Sequence, residues 1–173
     1  MNFGQVLAEV GAGFGSAGVR FALAGGVAVA AHGVQRTTLD LDFVVARDDA
    51  DAAIALLEQL GFETVRRSEA FSNHFRGANG ERIDLLFVDP PTAAAMFERA
   101  TARDLFGTGT VAVIHPEHLV AMKLFALKVD PTRAGLDLED VRGLMLRGLV
   151  DAATVSVYLD RYELAEYRKA LGL

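Results

Sequence analysis

Cysteine is absent from this chain of 173 residues. That excludes a disulfide framework, a thiol nucleophile and any cysteine-based zinc site, and it suits a reducing cytosol. A surplus of basic charge is missing too: 17 Lys and Arg stand against 23 Asp and Glu, for a formal charge of −6. A nucleic-acid partner would therefore need a local basic patch, since the chain offers no broad electrostatic footprint. Nor is there an apolar run long enough to cross a bilayer. The nearest approach, Phe21 to Ala31, is too short, contains a Gly pair and lacks a basic leader. It reads as a buried strand running into a helix, and the expectation is a soluble, cytoplasmic protein with no membrane partner. Internal repeats and low-complexity linkers do not stand out either.

What is present is ordinary globular material, 51% apolar and 23% charged, in a chain long enough to bury a real core. Phe3 to Val10 has a helical pattern, followed by a Gly-rich stretch, Gly11 to Gly18, that reads as loop. Arg20 to Ala24 reads as a strand stopped by Gly25-Gly26, and Val27 to His32 as a short helix ended by Gly33. Thr38 to Ala46 reads as a strand, and Asp49 to Leu60 as an amphipathic helix. Strands are expected over Phe62 to Arg67, Phe71 to Arg76 and Arg82 to Val88, the last two joined at an Asn79-Gly80 turn. A helix over Thr92 to Asp104 and a strand over Thr110 to Ile114 follow. Beyond Pro116 the signals are helical: Glu117 to Val129, Leu138 to Leu146, and Asp151 to Leu171 with a break near Asp160. The fold class is α/β (α+β): a mixed β-sheet flanked by helices over residues 1–114, then a helical tail over residues 115–173. The boundary is soft enough that the two parts could form one compact domain.

The most informative feature lies in the apolar run Leu39 to Val45, which contains Asp40 and Asp42. Strands are poor in Asp, and a carboxylate beside a hydrophobic core is costly unless paired or bound to metal. Side chains at i and i+2 of a strand point the same way, so both acids would face one side while Leu39, Leu41, Phe43 and Val45 pack on the other. Asp84 is a second acid in an apolar strand. If its strand lies beside that of Asp40 and Asp42, three carboxylates converge and can hold one or two Mg²⁺ ions, with Mn²⁺ as an alternative. Otherwise Asp84 could simply pair with Arg82. Gly25-Gly26, between strand and helix, permits close backbone approach to an anionic phosphate, or is only a tight turn.

Gly25-Gly26, thirteen intervening residues, Asp40-Leu41-Asp42, and later Asp84 in an apolar strand resemble the DNA polymerase β-type nucleotidyltransferase superfamily. More narrowly, Leu23 to Gly26 through His32-Gly33, and Arg36-Thr37 to Asp42, look like its AbiEii-type branch, which includes toxins of toxin–antitoxin systems. His115-Pro116-Glu117-His118-Leu119 with Lys123, then Arg133 and Asp137 to Asp140, is similar to that branch's helical half, so the resemblance spans roughly residues 20–147. It implies a nucleotidyltransferase-like sheet and Mg²⁺-dependent transfer of NMP from an NTP to an acceptor. Asp40, Asp42 and Asp84 would be the metal ligands, with Asp84 also a base. The acceptor would be RNA (a tRNA end) or a protein, and a cognate antitoxin would be a partner.

The remaining candidates carry two readings each. Lys123, the only charge in Leu119 to Leu127, is either a point charge on the triphosphate or a snorkelling side chain with its ammonium in water. Arg36 would contact nucleotide or orient Asp42, or form an ordinary ion pair. Asp137 and Asp140 precede or open a helix, where one of them is expected to cap it; Asp140 could also reach the active site. His115 and His118 lack a third ligand for zinc. Gly11 to Gly15 follows no strand, so a dinucleotide loop is not expected there. Tyr158, Tyr162 and Tyr167 with Arg161 and Arg168 read as core and surface of a helix pair rather than a stacking platform. Two alternatives to RNA or protein modification stand. One is nucleotidyl transfer to an aminoglycoside- or lincosamide-type drug, which the acidic charge suits. The other is a non-catalytic module that binds nucleotide or a partner.

Overall fold

A computed structural model describes residues 1–77, 80–107 and 109–173. The elements run α1 (Phe3–Ser16), β1 (Phe21–Ala24), α2 (Gly25–Ala31), β2 (Leu41–Ala46), α3 (Ala50–Gln59), β3 (Glu63–Arg67), β4 (Phe71–Arg76) and β5 (Glu81–Val88). They continue with α4 (Pro90–Glu98), β6 (Thr101–Asp104), β7 (Thr110–Val113), α5 (Pro116–Val129), α6 (Ala134–Leu146), α7 (Ala152–Arg161) and α8 (Arg168–Leu171). The described strands form one mixed sheet in the order β3-β4-β5-β2-β1-β7-β6. β2 runs parallel to β5 and β1 parallel to β7, and the other neighbours are antiparallel. Of the expected Asn79-Gly80 turn, Asn79 lies outside the described residues; β4 and β5 pair antiparallel as far as Arg76 and Glu81. No described helix is long and apolar enough to cross a membrane.

Contacts divide the chain into two compact units. One comprises residues 1–28 and 37–114, the other residues 29–36 and 115–173. The first contains the sheet. β2 and β1 lie in its middle, so Phe43, Val44 and Val45 are buried on both faces, as central strands covered by helices require. The segment 29–36, which follows most of α2, belongs with the helices of the second unit.

Several expectations are corrected. The Gly-rich stretch from Gly11 is not a loop: α1 continues to Ser16. Val6, Val10 and Phe14 recur every four residues along one fully buried face, and that burial outweighs a glycine penalty of about 1 kcal/mol per position. Gly13 also has a packing reason, because a Cβ there would lie 2.7 Å from Leu56 Cδ2 of α3. The helix expected over Thr92 to Asp104 stops at Glu98, and Thr101–Asp104 is instead strand β6. This edge strand is exposed along most of its length, so it carries no hydrophobic alternation to read. β2 begins at Leu41 instead of Thr38, and Leu39, expected to pack, is 73% exposed.

Strand β4 carries a buried titratable group. His74 Nε2 lies 2.8 Å from Ser72 Oγ, and Nδ1 lies 3.3 Å from Thr64 Oγ1. Burial lowers its pKa to about 4, against a weaker opposing pull from Glu58. An unfolded His takes up its proton near pH 6.5, roughly its free value, so between that pH and about 4 the unfolded chain binds more protons than the folded one. Stability is therefore lost as pH falls through this window, by up to about 3 kcal/mol. Denaturant unfolding at a series of pH values should show this slope in the wild type and a flatter one in His74→Gln. Equal slopes would assign the acid sensitivity to other groups.

Candidate metal and triphosphate centre

β2 and β5 run parallel with Asp42 opposite Asp84. Neighbouring strands are about 4.8 Å apart, and paired residues in register point to the same face, so these carboxylates are adjacent by construction. Asp40 lies in the bend just before β2, where Thr38 Oγ1 donates a 2.6 Å hydrogen bond to Asp40 Oδ1. One carboxylate oxygen from each of Asp40, Asp42 and Asp84 lies within 4.8 Å of the others, and all three side chains are half-buried. At this separation each pair of unit charges repels by about 3 kcal/mol at an effective dielectric of 20. Concentrating three like charges is unfavourable without a cation. An all-oxygen donor set of this size fits Mg²⁺ or Mn²⁺.

The Gly pair is built around these acids. Gly25 has φ +60°, and a Cβ at that position would lie 1.8 Å from Asp42 Oδ2. A Cβ on Gly26 would lie 2.7 Å from Thr38 Oγ1, the hydroxyl that holds Asp40. α2 starts at Gly25 itself, two residues earlier than expected. The two glycines thus leave the space that Asp42 and Thr38 occupy.

Asn73 was missed in the sequence. It lies opposite Asp84 on β4, and its Nδ2 donates to Asp84 Oδ1 at 2.8 Å, fixing that carboxylate. An Asn inside a strand is uncommon enough to have been a signal.

The other candidates meet elsewhere, in the second unit. Lys123 Nζ lies 2.8 Å from Asp140 Oδ2 and 3.1 Å from Asp137 Oδ1. Arg36 Nε is 3.0 Å from Asp140 Oδ1, and Arg133 Nε is 2.8 Å from Asp137 Oδ2. Asp137 is 0% and Asp140 2% exposed. Lys123 therefore does not snorkel: its ammonium sits between carboxylates. Neither acid caps α6, which begins at Ala134 without a side-chain cap and carries both acids inside its first turns. Arg36 forms an ion pair, with Asp140. Of the histidines, His115 caps α5 by accepting from Glu117 N at 3.3 Å. Tyr158 donates to Glu117 and stacks on Tyr162 within the helices.

Two substitutions test this geometry. Gly25→Ala should displace the Asp42 carboxylate and impose a left-handed conformation costing an Ala about 1–2 kcal/mol. Mn²⁺ titration followed by paramagnetic resonance should show weakened binding, and unchanged affinity would refute the steric argument. Lys123→Met should leave two buried carboxylates short of a cation and cost about 3–5 kcal/mol in denaturant unfolding. A loss below about 1 kcal/mol, the range of exposed pairs, would show the pairing to be marginal.

No protein-family model matches the chain, and no curated protein matches it in sequence. Solved structures do match it. The solution structure of the antibiotic-resistance factor ANT(2'')-Ia has a TM-score of 0.70 at 16% identity, over 98% of this chain and 99% of that one. The crystal structure of ANT(2'')-Ia in complex with adenylyl-2''-tobramycin gives 0.69 at 13% identity, over 96% and 99%. An antigenic nucleotidyltransferase-like protein from Paracoccidioides brasiliensis gives 0.58 at 17% identity, over 98% and 92%. At such identities the likeness is one of fold: this chain has a nucleotidyltransferase-like fold, a mixed sheet flanked by helices.

Proposed function

We propose that the chain is a Mg²⁺-dependent nucleotidyltransferase that moves NMP from an NTP to a hydroxyl of an acceptor, RNA such as a tRNA end or a protein side chain. The observation that carries this reading is the register of Asp42 with Asp84, which with Asp40 gathers three carboxylates within 4.8 Å. Asp40, Asp42 and Asp84 would hold the ion, and bound Mg²⁺ supplies charge neutralisation and polarisation at phosphate oxygens. The chain's own residues do the rest. Gly25-Gly26, whose missing side chains leave room for Asp42 and Thr38, would let the backbone approach the triphosphate. Asp84, oriented by Asn73, accepts the proton of the attacking hydroxyl. That oxygen bonds to the α-phosphorus as the bond to pyrophosphate breaks.

The resemblance of residues 20–147 to the AbiEii-type branch extends the reading to a toxin with a cognate antitoxin. A second reading, transfer to a cationic drug, is favoured by the fold likeness to ANT(2'')-Ia, which was seen with adenylyl-2''-tobramycin. A third is a module that binds nucleotide without turning it over.

Incubation with each α-labelled NTP, Mg²⁺, and either total RNA, cell lysate or aminoglycosides separates these readings. Label should move to one acceptor class, and Asp40→Ala/Asp42→Ala should reduce transfer by about a hundredfold or more. Transfer indifferent to those substitutions would overturn the assignment. Metal and NTP binding with no transfer would leave the binding module.

A further inference from the structure

The face of the sheet that bears Asp84 continues past it in both directions. On β5, Arg82 precedes Asp84 by two residues; on β4, Phe75 follows Asn73 by two. The strands pair Asn73 with Asp84 and Phe75 with Arg82, so strand alternation puts all four on one face, with the Phe75/Arg82 pair about 7 Å along from the acid. The burial pattern agrees: Ile83, Leu85 and Phe87 are buried, whereas Asp84 is half-buried and Arg82 exposed. Phe75 and Arg82, with Leu39 next to Asp40 and with Met1, Phe3 and Gly80, line a pocket of about 380 Å³. Two large apolar side chains stand in solvent there, Leu39 at 73% and Phe75 at 41%. In the other direction Phe71 precedes Asn73 by two residues, Arg66 pairs across from Asn73, and the Arg66 guanidinium lies 5.1 Å from the Phe71 ring centre. An aromatic ring with a guanidinium therefore stands on each side of the Asn73–Asp84 pair.

We infer that this face is the acceptor subsite of the proposed transferase, and that it takes nucleotide units, a base on Phe75 and Leu39 and a phosphate on Arg82. The inference rests on the nucleotidyltransferase reading for the chemistry at Asp84, but not for the binding. Among the described residues Arg82 makes no ion pair or side-chain hydrogen bond, although three carboxylates lie close by, so its charge is available to an external anion. An aromatic face beside a guanidinium suits a planar base with its phosphate. A polycationic drug would meet Arg66 and Arg82 there, whose repulsion opposes the attraction of Glu63 opposite Phe75 and of the three carboxylates.

The test uses the full chain with Mg²⁺ and a fluorescein-labelled single-stranded RNA hexamer, with AMP and tobramycin as competitors. Anisotropy should report RNA binding, and Phe75→Ala and Arg82→Ala should each weaken it about tenfold, the effect of losing one stacked base or one phosphate contact. Their melting temperatures and Mn²⁺ affinity should be unchanged. Competition by AMP at similar concentration would identify a free nucleotide as the acceptor, whereas competition only by RNA would identify a strand end. Where transfer is observed, both substitutions should raise the KM for acceptor and leave kcat and the KM for NTP alone. Absence of transfer with the binding losses intact would remove the transferase reading and keep the nucleotide subsite. Failure of wild type to bind RNA or AMP, binding unaffected by both substitutions, or stronger retention of tobramycin would overturn the subsite.

Discussion

The parallel pairing of β2 with β5 is the constraint on which the candidate centre depends. Because the strands are in register at Asp42 and Asp84, two carboxylates are set side by side by backbone hydrogen bonds. No flexible loop has to bring them together. The same pairing stacks Leu41 on Ile83 and Phe43 on Leu85, all fully buried. A slip of one residue would turn that apolar set out of the core and the acids into it. The hydrophobic pattern that stabilises the sheet therefore also enforces a like-charge contact, and the core supplies the free energy that holds the acids together.

Around that pair every local departure from ordinary packing has the same cause. Gly25 takes a left-handed conformation and Gly26 stays without a side chain because Asp42 and Thr38 fill the space. Thr38 holds Asp40, and Asn73 holds Asp84. The second charged group, in the helical unit, has the opposite character. Asp137 and Asp140 are buried, but Lys123, Arg36 and Arg133 surround them, so each carboxylate faces two cations. A buried carboxylate with cationic partners has its charge satisfied within the fold, whereas a concentrated, partly exposed group of one sign is what a cation requires. The two clusters thus differ in burial and in charge: one is buried and paired with cations, the other is half-buried and of one sign.

Much of this was legible from residues alone, for a physical reason in each case. Asp40, Asp42 and Asp84 stood out because charge in an apolar strand is costly, and the alternation of β5 gave the face on which Asp84 lies. Pairing partners were harder to read. Nothing local to Lys123 announces two carboxylates 14 and 17 residues further on. Glycine misled at α1, where tertiary burial of Phe14 overrides weak helix propensity, and exposure erased the pattern of β6. Asn73 was overlooked because its meaning lies across the sheet, in its register with Asp84.

The formal charge of −6 illustrates the same point at the level of the whole molecule. It is a total over the whole chain, and the groups nearest a given face decide the field there. Glu9 and Glu81 are tied to Arg76, Asp49 to Arg20, Asp160 to Arg168, and Asp137 and Asp140 to the buried cations. Arg66 and Arg82, by contrast, stand beside aromatic rings of β4 without an acidic partner among the described residues. The field an acceptor meets at the sheet face is set by those two guanidiniums, by Glu63 of β3, which pairs with Phe75, and by three carboxylates suited to a divalent ion. With a divalent cation in place, the local balance there shifts from acidic toward neutral, away from the sign that the composition suggests.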